Sequence, residues 1–250
     1  MPASSACAEE TIYGQAEVSS PPSLPASCAS CVSNDRCPGW RFRLLAGDPL
    51  TATPNHAHTL KKRAHLFHQG DKLDALYIIK SGSAKLYFIC ENGNEQVVGF
   101  YLPGEILGLD ALGSGRHQTS ALALERTSLC VIPISGLVQA PDYQHCLYKL
   151  LSMELIRDQA VLSLIAKKDA EAKMAKFLIS LSQRFRERGY SATCFNLSMK
   201  RSEIGSHLGI AVETVSRILT RFQSLGLLQV ERRYIQIYNF EALEGLAAHP

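Results

Sequence analysis

The sequence predicts an α+β chain: an N-terminal antiparallel β-roll, a long helix, and a C-terminal winged helix-turn-helix. Three observations carry that expectation. Short β-branched and aromatic runs recur between glycine-containing turns. A helical stretch repeats its seam positions at spacings of 3, 4, 3, 4 and 3 residues. Near the C-terminus, two short helical patterns flank a glycine and lead into an alternating hairpin.

The roll is expected over residues 52–141. Its runs are ALYII (75–79), AKLYFI (84–89), QVVGFYL (96–102), SALAL (120–124) and SLCVIPI (128–134), with Gly82, Gly93, Gly104 and Gly113 between most of them. Many short strands at close spacing read as an antiparallel barrel or roll. ENGNEQ at 91–96 predicts a hairpin turn, with Gly93 supplying a positive φ.

The long helix is expected over 142–168. Tyr148, Leu151, Leu155, Asp158, Leu162 and Ile165 make its seam, the spacing of a helix that meets a partner helix in a dimer. The same pattern also suits a helix packed on its own domain. Asp158 puts a carboxylate where an apolar residue is expected. A second helix, 169–187, stops at Gly189 and opens the C-terminal domain, 169–250.

In that domain, LSMKRSEIGSHLGIAVETVSRILTRFQSLGLL (197–228) predicts the helix-turn-helix. Ser202 would cap a first helix with Ile204 and Leu208 inside. Gly209 would take the left-handed turn. A second helix would run from Val212 to Leu225, burying Val215, Ile218, Leu219 and Phe222. Its opposite face offers Glu213, Thr214, Ser216, Arg217, Thr220 and Arg221, short polar groups and guanidinium forks suited to base edges and phosphates. LLQVERRYIQIY (227–238) reads as a wing hairpin with Arg232 and Arg233 near its tip. Double-stranded DNA is the expected partner. Charge agrees weakly: from Lys167 onward there are 13 Lys and Arg against 8 Asp and Glu, whereas residues 1–166 hold 13 against 15.

Other classes are disfavoured. No GxGxxG, P-loop or nucleophile–base motif marks an enzyme. No apolar run approaches the roughly 18 residues of a membrane span. The N-terminus has no Lys or Arg before Arg36 and no apolar core of a signal peptide. A cytoplasmic address is expected, where eight cysteines point to metal or redox chemistry rather than a disulfide framework. Residues 1–27, with four Pro and six Ser, are expected to be a disordered arm.

A cysteine-rich segment follows, 28–51, containing CASCVSNDRC. Cys28, Cys31 and Cys37 fall as C-x2-C-x5-C and need a fourth ligand. Cys7, Cys90, Cys130, Cys146 and Cys194 are the candidates. Four thiolates suit tetrahedral zinc or an iron–sulfur cluster, and spacing alone leaves both open. His56, His58, His65 and His68 are read as a solvated surface patch.

From about Cys28 to Leu246 the chain resembles the CRP/FNR family of transcription regulators, above all the FNR branch with its ANR-type oxygen sensors. The roll is then of the cyclic-nucleotide-binding-like type. The marks are VETVSR, Val212 to Arg217, in the second helix, and a Cys ahead of an Ile-Pro pair, Cys130 before Ile132 and Pro133. The resemblance implies that Glu213, Ser216 and Arg217 read a TTGAT half-site. It implies that Cys130 joins Cys28, Cys31 and Cys37 around one [4Fe-4S] cluster per subunit. It gives Asp158 the role of opposing dimerisation until the cluster is intact, so that oxygen returns the protein to monomers. Gly93 and Asn94 would touch RNA polymerase, with Asn94 in place of a common acidic residue. Cyclic AMP is not expected: Gly104 and Glu105 match the family's Gly-Glu pair, but Thr119-Ser120 replaces the Arg-Ser that takes the phosphate. Val32 and Arg36, beside the ligands, depart from the best-known FNR pattern. A zinc-containing regulator answering another signal is the alternative.

Overall fold

The structure, a computed structural model, describes residues 58–134 and 143–248. Cys7, Cys28, Cys31, Cys37 and His56 lie outside the described residues, as do Val32 and Arg36, and with them the expected arm and cysteine-rich segment.

Among the described residues, the roll comprises β1 (His58–Leu60), β2 (His65–Phe67), β3 (Ala75–Ser81), β4 (Ala84–Ile89), β5 (Glu95–Tyr101), β6 (Ile106–Leu107), β7 (Ser120–Ala123) and β8 (Thr127–Pro133). They pair into two antiparallel sheets, ordered β1-β8-β3-β6 and β2-β7-β4-β5. Every apolar run picked out in the sequence is a strand here. β1, β2 and β6 leave no mark in the sequence, because two or three residues are too few to show a period of two. Gly93 turns the β4–β5 hairpin at φ 79°, as expected. In the turn before β7 the positive φ belongs to Gly115 rather than to Gly113.

Alternation along the strands makes the roll bury three surfaces. Between the sheets lie Leu60, Phe67, Ile79, Leu86, Tyr101, Leu107 and Leu129. Outside the first sheet, Leu76, Ile78 and Ile106 seat Leu150 of α1 (Tyr143–Ile165). Outside the second sheet, Tyr87, Val97, Phe100 and Leu102 merge with the core of the C-terminal domain.

The C-terminal domain begins with α2 (Ala170–Glu187), capped by the Asp169 carboxylate, which accepts from the Glu171 and Ala172 N–H groups. Then come β9 (Cys194–Asn196), α3 (Arg201–Leu208), α4 (Val212–Ser224), β10 (Leu228–Glu231), β11 (Tyr234–Ile237) and α5 (Phe240–Ala248). The wing is a three-stranded sheet, β10-β11-β9, where the sequence suggests a hairpin. Neither β9 nor α5 is among the elements the sequence predicts.

The helix-turn-helix follows the expected boundaries, with one correction at its start. Ser202 does not cap α3. Lys200 is the capping position, and the Glu203 carboxylate accepts from the Lys200 N–H at 2.7 Å. An acidic group three residues in can satisfy that donor without a Ser or Thr before it. Gly209 takes φ 66° at the turn. Gly205, unremarked in the sequence, matters more sterically: a Cβ there would lie 2.6 Å from the Ile210 carbonyl.

Candidate nucleic-acid interface and metal ligand

The apolar stripe of α4, Val215, Ile218, Leu219 and Phe222, is buried as the sequence predicts. Burying it turns Glu213, Arg217, Thr220 and Arg221 outward, with Thr214 and Ser216 half-buried. The polar groups engage one another locally. Arg217 donates to Thr214 Oγ1 at 3.1 Å, and Ser216 donates to the Val212 carbonyl at 3.1 Å. These are weak exposed bonds, exchangeable for a base edge at little cost. Arg221 is drawn aside: its Nε lies 2.9 Å from Glu171 of α2.

Two cations that sequence reasoning passed over join this face. Arg201 of α3 donates to Ser216 Oγ at 3.2 Å, which sets a guanidinium beside the recognition helix. Lys200 and Arg201 also line a cleft with Arg232 and Arg233 of the wing, floored by Leu197, Ile204, Leu219 and Val230. The KR pair at the head of the first helix was the available signal. Four cations around one cleft make a surface for a phosphate backbone.

The seam residues of α1 stand out from the chain. Tyr148, Leu155 and Leu162 are 66%, 59% and 66% exposed, and Leu151 and Ile165 are 38% exposed. Asp158 is exposed among them. Met153 and Ile156, outside the predicted seam, are also exposed and widen the apolar surface. The opposite face of α1 packs on the roll through Leu150, Glu154 and Arg157, and Leu164 joins the core shared by the roll and the C-terminal domain. A helix so divided has one face for its own domain and another that offers apolar surface to a partner.

Cys130 lies in the middle of β8, opposite Ile78. The strand runs on through Pro133 because Pro133 pairs with Ala75 as the last residue of the ladder. Cys130 is half-buried and packs against the cluster that seats Leu150 of α1. Among the described residues no group of three or more His, Cys, Asp or Glu could hold a metal. His58, His65 and His68 are exposed, as read from the sequence.

At the β4–β5 tip, Asn92, Gly93 and Asn94 are exposed, and Asn92 Oδ1 accepts from the Asn94 N–H at 3.0 Å. Phe88 and Ile89, 36% and 51% exposed, flank the tip with apolar surface.

Glu105 is fully engaged within the chain. Arg184 of α2 meets both its oxygens, at 2.7 and 3.1 Å, and Arg188 meets one at 2.5 Å. Arg157 of α1 stands 3.5 Å away. Burial alone would raise the carboxyl pKa, but the guanidiniums of Arg184, Arg157 and Arg188 overcome it and hold the value at about 2. Thr119 is occupied as well, donating from N–H and hydroxyl to Asp110.

Known proteins agree with this arrangement. Residues 57–141 match the cyclic nucleotide-binding domain family, and residues 172–246 match the Crp-like helix-turn-helix domain family. The fumarate and nitrate reduction regulatory protein of Escherichia coli K12 is 40% identical over 226 residues, 89% of this chain and 90% of that protein. The transcriptional activator protein Anr of Pseudomonas protegens is 41% identical, covering 89% of this chain and 93% of its own. Among solved structures, FixK2 from Bradyrhizobium japonicum superposes with a TM-score of 0.71 at 26% identity, over 78% of this chain and 98% of that one. A transcriptional regulator of the CRP family from Thermus thermophilus, 18% identical over 77% of this chain and 97% of that one, shares the fold with a TM-score of 0.65. A roll, a helix with an exposed apolar face and a winged helix-turn-helix, matched along nine-tenths of two regulators, place this chain in the CRP/FNR family: it is a DNA-binding transcription regulator and not an enzyme.

Proposed function

We propose that this chain is an oxygen-responsive regulator of the cytoplasm, active as a homodimer on a palindrome of the TTGAT-N4-ATCAA type when Cys28, Cys31, Cys37 and Cys130 hold a [4Fe-4S] cluster. The observation that carries the reading is the position of Cys130. It touches the apolar cluster beneath α1, so a ligand set that includes it can bear on the helix whose outer face is the dimer seam. Four thiolates suit a cluster by donor chemistry, and Cys130 is half-buried on β8. Such a cluster supplies a centre that oxygen destroys.

The chain's own residues account for the response. Tyr148, Leu151, Leu155, Leu162 and Ile165 supply apolar area for a second copy. Facing Asp158 carboxylates oppose that association, because like charges brought together out of water repel. Glu213, Thr214, Ser216 and Arg217 read bases, since Arg can be bidentate to guanine and Glu can accept from cytosine. Arg221 reaches phosphate after leaving Glu171. Two recognition helices in a dimer would fall about one DNA turn apart, as an inverted repeat requires. Gly93 and Asn94, at an exposed tip, form the contact with RNA polymerase. Cyclic AMP is not the ligand: the Glu105 carboxylate is held by three arginines and no Arg-Ser pair follows it.

The test is an absorption spectrum with iron and sulfide analysis of protein purified without oxygen, then exposed to air, with a gel shift on the palindrome at each stage. Iron, visible charge-transfer absorption and a shifted duplex are expected before air and should all decline after it. Protein with neither iron nor absorption would refute the reading. Zinc bound by the same cysteines would establish the alternative.

A further inference from the structure

Between β6 and β7 the roll closes a loop around one of its own carboxylates. The chain leaves β6 through Gly108, at φ 100°, and makes a single 3-10 turn, Leu109–Ala111, that carries Asp110. Asp110 Oδ2 accepts three bonds from residues eight and nine positions on: the Gln118 N–H at 2.9 Å, the Thr119 N–H at 3.0 Å and the Thr119 hydroxyl at 2.9 Å. Oδ1 faces Nδ1 of His117 at 3.2 Å, and a carboxylate can only accept, so the ring donates. Four donors thus fill the roughly four lone-pair sites of a carboxylate.

The donors are set by packing that does not involve Asp110. The His117 ring is buried and lies flat on Phe67, their centroids 3.6 Å apart. Its carbonyl accepts from the Gly70 N–H at 2.8 Å, and its N–H donates to the Asp71 carbonyl at 2.9 Å. Next to Thr119, Ser120 Oγ accepts from the Gln69 N–H at 3.0 Å. Cations flank the loop: Lys72 and Arg116 stand opposite each other in an isolated antiparallel bridge. The Asp71 carboxylate is turned to the His68 N–H at 2.8 Å. Two consecutive backbone N–H groups, a hydroxyl and a ring N–H, fixed in place and bordered by cations, are the donor set of an anion-binding concavity. Asp110 leaves 19% of its side chain exposed, so the place it fills is open to solvent on one side.

We propose that the 117–119 loop is an oxyanion site of the roll and that Asp110 is its resident anion, standing where the loop would otherwise hold a phosphate group. The inference rests on the reading that the roll takes no cyclic nucleotide, and it supplies a cause for it. Charge-assisted bonds to a carboxylate are the strong kind, and they use the same donors that a phosphate oxygen needs. A tethered carboxylate loses no translational freedom on reaching those donors, so a free anion competes at a disadvantage. The loop therefore stays closed to small phosphorylated ligands while Asp110 is present.

The experiment uses the full chain and needs no DNA. Asp110→Ala empties the loop, whereas Asp110→Asn keeps an acceptor in it. Melting is followed while inorganic phosphate or formate replaces chloride at constant ionic strength, in the low millimolar range, and amide hydrogen exchange is read at Gln118 and Thr119. Asp110→Ala is expected to exchange about tenfold faster than the parent at both amides. Phosphate should restore that protection and raise the melting temperature of Asp110→Ala saturably, by about 3 °C. The parent and Asp110→Asn should show no such rise. Asp110→Ser, which also leaves room in the loop, repeats the readings where Asp110→Ala does not fold. Equal stabilisation of the parent or of Asp110→Asn would place the phosphate elsewhere and overturn the proposal. Stabilisation by formate but not by phosphate would reduce Asp110 to a loop tie, and would overturn it too, as would no anion effect on either emptied variant. Calorimetry of the parent with cyclic AMP separates the two claims. Bound cyclic AMP would defeat the reading of the roll and the resident anion with it, whereas variants that refuse phosphate defeat the oxyanion site alone.

Discussion

Arg217 and Gly205 show two ways in which one residue can decide DNA binding. Arg217 is exposed on α4 and, among the described residues, bonds Thr214 in an exposed contact, so its loss costs the free protein little. On the palindrome it would take a guanine with both arms of its fork, a contact that discriminates by about 1–3 kcal/mol. Arg217→Ala is therefore expected to lower site-specific affinity roughly tenfold to a hundredfold at matched salt while melting stays unchanged; equal affinity would remove Arg217 from the readout. Gly205 touches no base. A Cβ at 2.6 Å from the Ile210 carbonyl must push the turn away from α3. Gly205→Ala should cost about 1–3 kcal/mol of stability, read by denaturant titration. An unchanged midpoint would mean that the turn relaxes freely. The first residue is legible in VETVSR, while the second becomes visible only once the chain has turned back on itself.

The element that decides assembly is α1. Its periodicity picks out Tyr148, Leu151, Leu155, Asp158, Leu162 and Ile165, and of these Tyr148, Leu151, Leu155, Leu162 and Ile165 are exposed apolar groups. The width of the surface was not legible, since Met153 and Ile156 fall off the heptad spacing and are exposed only because the roll takes the opposite face. Within that surface Asp158 alone carries charge among the predicted seam positions. Asp158→Ala should convert the air-exposed protein from monomer to dimer in sedimentation experiments. A variant that remains monomeric in air would show that other residues oppose pairing. The wing teaches a related lesson at the level of a sheet. Its β10–β11 hairpin alternates and could be read, but β9 has only the residues Cys194–Asn196, and it pairs with β11 across an intervening helix-turn-helix.

At the scale of the whole molecule, the docking of the two domains sets the response to pH. His207 is buried between Phe100 and Phe177, and burial lowers its pKa from 6.5 to about 4, although a hydrogen bond to Val97 opposes the shift. The unfolded chain therefore binds a proton that the folded chain refuses. Stability is full above pH 6.5 and is lost as pH falls toward 4, by on the order of 3 kcal/mol in all. His207→Phe should flatten that decline in melting temperature; an unaltered slope would assign it to other groups. Glu105, with its pKa held at about 2 against 4.5, acts at lower pH. Its contribution is present above pH 4.5 and lost as pH falls toward 2. Near neutrality both groups keep the charge state that docking requires, so acidity does not open this interface in ordinary conditions.

The sequence by itself determined the parts and their order. Strand runs, seam spacing and the helix-turn-helix are local, and each is set by a period of a few residues that hydrophobic burial enforces. It also marked the residues that face outward, because an amphipathic helix can bury only one side. Only the tertiary structure decided what those parts do to one another. Cys130 meets the seat of α1 because β8 runs straight through it and carries it beneath Leu150. Glu105 meets Arg184 and Arg188 from 79 and 83 positions away. Contacts at such separations leave no periodic trace, since any surface arginine would serve at those positions until the domains pack and one carboxylate is enclosed.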